Sequence, residues 1–468
     1  MKILLALPTY KNNPRLYLPK LITEGKGSYP PLGVLYLASM LKKHGYTDIA
    51  VFDGQLYKNT EDAFREKISR LNPQVVGISA FTPTLHRAYR LARIAKSFNR
   101  NIHVVFGGPH CSIYPREVIS MDFIDAVVAG EGEESFTRVV SAIDSGNWTG
   151  EMDGVLYKKN GEIAGNTNYK IIRNLDALPF PDRSLVPKDR YYIVVDKPGT
   201  ATSLLTSRGC PFGCTFCKPA RRVFTQRSPS SIAVEMEECS GMGFRMINLV
   251  DDTFNVDKTK VLEICREIVR RKIGVSWSFM GRVETFDKEM AEALREAGCS
   301  RIQFGIEAGT DRVLGMMQKG FAVDEARKAI EISKKYGFIT VAFFILGFPG
   351  ETRAEIMDTI NFAIKTEPDY AQFLPLSLQP GTKLYNDALR DGKTEDIFKN
   401  FTLDPAMEYQ DIYLNGSLSR EETAKLVRSA FQRFYLRKSY IVKILRLTRS
   451  PTEFLRKLRA LYLMMMYQ

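Results

Sequence analysis

Along the first third of the chain, short apolar runs alternate with longer segments of helical periodicity. Residues 2–7, 48–52, 75–80, 103–106 and 126–129 read as buried strands, and residues 32–44, 61–71 and 85–98 as amphipathic helices between them. Continuous apolar strands separated by helices predict a doubly wound parallel sheet whose ligands sit at the carboxyl ends of the strands. From about residue 200 the alternation resumes at longer period, with strands near 203 and over 247–250, 275–280, 301–306, 340–346 and 370–376. Six such units predict an open, partial (β/α)6 barrel of TIM type, again with its chemistry at the strand carboxyl ends. Between the two, residues 154–164 form a hairpin with Asn160-Gly161 at the turn, followed by the proline-rich stretch Leu178-Pro179-Phe180-Pro181. The expected fold class is therefore α/β. Residues 1–145 form a Rossmann-like domain, 146–198 a linker, 199–400 a barrel and 401–468 a basic helical region.

Composition changes this picture in two places. The chain has 468 residues, no apolar stretch near the length of a bilayer span, and an N-terminus that reads as a buried strand broken by Pro8, so a cytoplasmic protein is expected. The net charge of +13 is concentrated late: from Arg428 onward there are ten Lys or Arg against one acid, Glu453. Ile441, Ile444, Leu445, Leu455, Leu458, Leu461, Tyr462 and Met465 recur there at helical spacing. Such helices either close the barrel with a solvated basic face or rest peripherally on an anionic membrane. Phe431, Phe434 and Tyr435 read as packing residues, so no nucleic-acid partner is expected.

The chemistry starts at Cys210, Cys214 and Cys217, spaced C-x3-C-x2-C in a segment that Gly209, Pro211 and Gly213 make a loop. Three thiolates without a fourth leave one iron of a four-iron cubane open to a substrate or cosubstrate. Cys239, Cys265 and Cys299 have no ligand spacing, and Cys111 reads as a small buried residue. Strand ends elsewhere in the second half carry Asp251-Asp252-Thr253, Gly281-Arg282, Glu307-Ala308-Gly309 and Gly347-Phe348-Pro349-Gly350-Glu351. No histidine follows His110, so a general base in the barrel would be Asp, Glu, Lys or Tyr, and no residue is singled out as catalytic.

The cysteine spacing and these strand-end segments resemble the radical S-adenosylmethionine (SAM) enzymes. The resemblance implies a 4Fe-4S cluster on the three cysteines, with SAM chelating the open iron. It also implies Phe216 near the adenine, Asp251 and Asp252 near the methionine amino group, Glu307 on the ribose hydroxyls, Arg282 on the carboxylate, and Gly347 and Gly350 shaping the adenine pocket. Residues 1–145, with Gly107-Gly108-Pro109-His110 and Gly130-Glu131-Gly132-Glu133 at strand ends, resemble the cobalamin-binding domain that precedes many such enzymes. Pro8, Asp53, Gly54, Thr82, Thr84, Gly107, Gly108, His110, Gly130 and Glu131 are the residues this implies around cobalamin. One departure stands out: where related domains carry Asp-x-His-x-x-Gly, residues 53–58 read Asp-Gly-Gln-Leu-Tyr-Lys, so no histidine is expected below the cobalt. The resemblance implies a cobalamin-dependent methyltransferase acting on an unactivated carbon of a small molecule, with a lipid or tetrapyrrole as candidate substrates and a flavodoxin or ferredoxin as electron donor. The alternatives are a radical cyclase or rearrangement enzyme of the same architecture, resembling the anaerobic magnesium-protoporphyrin monomethyl ester cyclase, and a non-catalytic cobalamin or redox sensor.

Overall fold

The computed structural model describes residues 1–10, 29–147, 152–191, 200–218, 221–414 and 418–446. These fall into two compact units: residues up to 191 together with 386–410, and residues 200–385 together with 411–446.

The first unit is built on a seven-stranded sheet of β1 (Ile3–Leu7), β2 (Ile49–Asp53), β3 (Val75–Ser79), β4 (His103–Gly107), β5 (Ala126–Val128), β6 (Val155–Lys159) and β7 (Glu162–Gly165). The spatial order is β2-β1-β3-β4-β5-β6-β7. Strands β1 to β5 are parallel, and the order reverses at β1, which pairs with both β2 and β3. Side chains alternate between faces: Leu4, Ala6, Val76, Ile78, Val104 and Phe106 belong to one apolar layer, and Ile3, Leu5, Val75 and Val105 to the other. The hairpin expected within a linker instead extends this sheet, with Ala126 opposite Tyr157 and Val128 opposite Val155. Its turn has φ 52° at Asn160 and 86° at Gly161, the left-handed pair that a two-residue hairpin loop requires.

Residues 386–410, which the sequence reading divided between the barrel and the C-terminal region, belong to the first unit. Helix Ile397–Leu403 inserts Phe401 into the apolar layer beside Phe106 and Tyr89.

The second unit carries a six-stranded parallel sheet of β8 (Ala201–Leu204), β11 (Met246–Leu249), β12 (Ser276–Gly281), β13 (Cys299–Glu307), β14 (Ile339–Leu346) and β15 (Tyr370–Pro375), in sequence order. A two-stranded ribbon, β9 (Ser207–Arg208) with antiparallel β10 (Thr225–Gln226), branches off after β8. Helix Arg420–Tyr435 packs on β15: Phe373 meets Phe431 and Phe434 edge-on, and Tyr435 Oη donates to Ala371 O at 2.8 Å. Phe431, Phe434 and Tyr435 are thus core residues. The side chains of Ile444 and Leu445, and Leu455, Leu458, Leu461, Tyr462 and Met465, lie outside the described residues. Among the described residues no helix is long and apolar enough to cross a membrane.

Candidate active site

The cysteine loop is an excursion from the β9–β10 ribbon. It is closed at its base by Cys210 N donating to Arg221 O at 3.0 Å. Gly209 sits at φ 85°, and a Cβ there would lie 2.3 Å from Val223 O, so only glycine permits this closure. Cys210 and Cys214 are buried and Cys217 is exposed. Cys210 Sγ lies 3.5 Å from Thr253 Oγ1, and Arg222 Nη2 donates to Cys217 O at 3.2 Å. Desolvation, and then the nearby Cys214 and Cys210, push the Cys217 thiol up to about 12, so the sulfur is locally shielded although the residue retains exposed surface. Among the described residues no three His, Cys, Asp or Glu side chains are grouped as a site for one metal ion. That is consistent with a cubane, whose cysteines each ligate a different iron.

The carboxyl ends of β11 and β12 reach this loop directly, and that of β13 reaches it through Lys319. Asp251 is bonded at both oxygens: Oδ1 accepts from Thr206 N at 2.7 Å and Ser207 N at 3.0 Å, and Oδ2 accepts from Thr206 Oγ1. Burial pushes its pKa up to about 6 against these hydrogen bonds. It therefore fixes the chain entering the cysteine loop, while the adjoining Asp252 is exposed. Arg282 is aimed by Asn255, which accepts from Arg282 N and donates to Arg282 O, both at 2.8 Å. Its guanidinium lies 3.8 Å over the Phe212 ring and 3.7 Å from Cys214 Sγ, and it pairs with Glu284. In this arrangement it faces Cys214, one of the three thiols of the loop.

Glu307 ends β13 at φ 74°, just after a register shift in the ladder. Its Oε1 lies 3.2 Å from Lys319 Nζ, and both residues are buried. Gly347 and Gly350 hold φ of 82° and 83°. The turn they form is closed by Glu351, whose Oε2 accepts from Gly347 N at 2.7 Å and Phe348 N at 2.9 Å. Burial pushes the Glu351 carboxyl up to about 7. Phe216 packs against the core of this unit beneath Lys319.

In the first unit the residues expected around cobalamin cluster at the carboxyl ends of the parallel strands, but many are engaged by the chain itself. A Cβ on Gly54 would meet Thr9 N at 2.8 Å, one on Gly108 would meet Ala80 O at 2.9 Å, and one on Gly130 would meet the Tyr169 ring at 2.2 Å. Gly107 is the open one, with nothing nearer than 3.7 Å. Pro8 is buried beside Leu7 at the end of β1. Asp53 accepts from Gln55 N and Tyr191 Oη, both at 3.0 Å, and Glu131 Oε2 accepts from Ile172 N at 2.6 Å. Thr84 Oγ1 bonds the Phe81 backbone, and Thr82 Oγ1 lies 3.0 Å from His110 Nδ1. The other His110 nitrogen, Nε2, lies 2.9 Å from Thr402 Oγ1. His86 stacks on Phe401 with ring centroids 3.8 Å apart, its Nε2 2.7 Å from Phe401 O. Both ring nitrogens of His110 and Nε2 of His86 thus lie at hydrogen-bond distance from oxygens of the chain itself. Gly107, open on this parallel-sheet carboxyl edge, leaves room for a corrinoid to approach the backbone.

Sequence reasoning missed Lys319, Asn255 and Phe212. Lys319 precedes Gly320 just after a helix, where a lysine ordinarily reads as a solvated C-terminal cation.

Residues 204–363 match the Radical SAM superfamily and residues 19–140 the B12 binding domain. The chain is 35% identical over 450 residues to the uncharacterized methyltransferase PH0819 of Pyrococcus horikoshii, covering 95% of this chain and 94% of that one. It is 30% identical over 454 residues to the anaerobic magnesium-protoporphyrin IX monomethyl ester cyclase of Rubrivivax gelatinosus, covering 94% and 78%. The fold matches the radical SAM methyltransferase TsrM of Kitasatospora setae, solved with cobalamin and a 4Fe-4S cluster, at TM-score 0.67 and 18% identity over 84% of this chain and 75% of that one. It also matches the cobalamin-dependent radical enzyme OxsB, solved with aqua-cobalamin, at TM-score 0.73 and 16% identity over 98% and 70%. Fold and cysteine loop together define a radical SAM enzyme preceded by a B12 binding domain. The chain belongs to that family, as an enzyme using a 4Fe-4S cluster, SAM and cobalamin.

Proposed function

We propose that this enzyme methylates an unactivated carbon of a small molecule. The observation that carries this reading is the near full-length similarity to a protein described as a methyltransferase, combined with a cysteine loop contacted by the strand-end residues Thr253 and Arg282. When bound, the cluster supplies an electron to cleave SAM, and cobalamin carries the methyl group. The chain's own residues bind and orient. Cys210, Cys214 and Cys217 hold the cluster, and Arg282 places positive charge beside Cys214. Glu307 offers a carboxylate oxygen to ribose hydroxyls, and the Gly347–Glu351 turn presents backbone groups to the adenine. Asp252, exposed beside Asp251 at the end of β11, meets the methionine amino group. Pro8, Gly107 and the threonines beside them line the edge assigned to cobalamin.

A flavodoxin or ferredoxin is the electron donor this chemistry calls for, and the cytoplasm is the compartment that supplies one. The ten basic residues from Arg428 onward favour a lipid or tetrapyrrole substrate taken from a membrane surface. Vesicle sedimentation of the full chain and of a chain ending at residue 439 tests this, and equal binding by both contradicts it.

A cyclase is the second reading, favoured by the 30% identity to a magnesium-protoporphyrin monomethyl ester cyclase. Turnover with methyl-deuterated SAM separates the two. Methylation releases S-adenosylhomocysteine together with 5′-deoxyadenosine and leaves label in the product, whereas cyclisation gives an unlabelled product without S-adenosylhomocysteine.

A further inference from the structure

Lys319 occupies a position that packing alone does not explain. Helix Asp311–Met317 ends two residues earlier, and the left-handed Gln318 (φ 56°) and Gly320 (φ 77°) on either side of Lys319 turn the chain back toward the strand ends. The lysine side chain is 6% exposed and that of Glu307 11%. Burying an ammonium costs several kcal/mol per ion, and a buried pair is weak evidence of a stabilising role, because apolar residues of similar volume often do as well or better. What the lysine does contribute is connection. Its Nζ lies 3.2 Å from Glu307 Oε1, and 5.9 Å and 5.5 Å from the ring centres of Phe216 and Phe321. Its carbonyl accepts from Arg282 Nη2, the guanidinium that faces Cys214. Two residues earlier, Met317 O accepts from Thr215 N at 3.0 Å. Cys214, Thr215 and Phe216 are therefore each met by Arg282 or by this one turn.

Glu307 needs such a partner. A non-glycine residue at positive φ is strained by about 1–3 kcal/mol and persists only where its surroundings over-determine it. Its carboxylate fits because Gly305 lacks a Cβ, which would lie 2.7 Å from Oε1. Oε1 is taken by Lys319, while Oε2 has no hydrogen-bond partner among the described residues.

We infer that Lys319 is a positioning residue: it fixes Glu307 by one oxygen so that the other accepts a nucleoside hydroxyl, and it joins that carboxylate to the cysteine loop through Arg282. This rests on the proposed role of Glu307 toward SAM.

The test is anaerobic equilibrium dialysis of S-adenosylhomocysteine against the full chain reconstituted with iron and sulfide. The wild type is compared with Lys319→Met and Lys319→Arg. Loss of a charge-assisted contact is expected to weaken binding of the methionine variant about tenfold, with the arginine variant within about threefold of wild type. Iron and sulfide content and the electron paramagnetic resonance spectrum of the reduced cluster without SAM stay unchanged in both. Should Lys319→Met fail to load a cluster, Lys319→Gln keeps a polar end in the pocket and the same loss is expected. Wild-type affinity in the methionine or glutamine variant overturns the inference alone. So does an arginine variant as weak as methionine with a wild-type melt, because volume rather than charge then decides. A cluster-loaded wild type that does not bind S-adenosylhomocysteine overturns the nucleoside role of Glu307 itself.

Discussion

His110 Nε2 lies 2.9 Å from Thr402 Oγ1, although the two residues are 292 positions apart in the chain. With Tyr89 Oη donating to Thr402 O at 3.0 Å and Tyr114 Oη to Asp396 Oδ1 at 2.7 Å, this contact seats residues 396–402 in the first unit. His110, expected beside cobalamin, is buried and also serves as a structural link. Thr402→Val leaves an imidazole nitrogen unpaired in the core and is expected to cost about 1–3 kcal/mol. The measurement is the melting transition of the full chain, with iron content per chain unchanged.

The same histidine sets a pH dependence. Burial, and then the neighbouring His86, push its pKa down to about 3. The folded state keeps it neutral while the unfolded chain protonates it below about 6.5, so stability falls as pH drops from about 6.5 toward 3, by up to about 1.4 kcal/mol per pH unit. His86 and His103, also lowered chiefly by burial, add to the slope. Denaturant titrations between those pH values should show a shallower slope in His110→Gln, and an unchanged slope contradicts the assignment.

Asp251 tethers the entry to the cysteine loop through Thr206 and Ser207. Asp251→Ala removes three hydrogen bonds to one buried carboxylate and is expected to cost on the order of 3 kcal/mol, with a loss of bound iron after reconstitution. Full iron loading in this variant would show that the loop holds its shape without the tether.

The parallel strands were legible because some, such as β1 and β3, are nearly continuous buried apolar runs and others, such as β14, bury every second residue, and their carboxyl ends pointed to the cysteine loop, Arg282 and Glu307. What could not be read were pairings made over distance. The hairpin at 155–165 looks like a linker until Ala126 is seen opposite Tyr157. The short helix Ile397–Leu403 carries too few apolar residues to announce that Phe401 belongs with Phe106. Asp251 has the right chemistry for an ammonium ligand, and only the fold reveals that it also accepts from Thr206 and Ser207. Lys319 has no local signature, because its partner Glu307 lies on a different element.

Arg282 faces Cys214 Sγ at 3.7 Å and stacks on Phe212. Arg282→Met removes charge and a donor from a cluster ligand. The expected result is a more negative reduction potential and about a 10- to 100-fold loss in reductive SAM cleavage, with iron content retained. Spectroelectrochemical titration checks the potential, and a value equal to wild type contradicts a role at the cluster.

The most direct test of a histidine-free, cobalamin-dependent radical SAM enzyme is anaerobic reconstitution of the full chain with iron, sulfide and hydroxocobalamin, followed by desalting, reduction and electron paramagnetic resonance. The expected result is stoichiometric cobalamin whose cobalt(II) signal lacks nitrogen superhyperfine splitting, together with 5′-deoxyadenosine formed on adding SAM. A cluster signal and 5′-deoxyadenosine without retained cobalamin, or a cobalt(II) signal split by a protein nitrogen, would contradict the account.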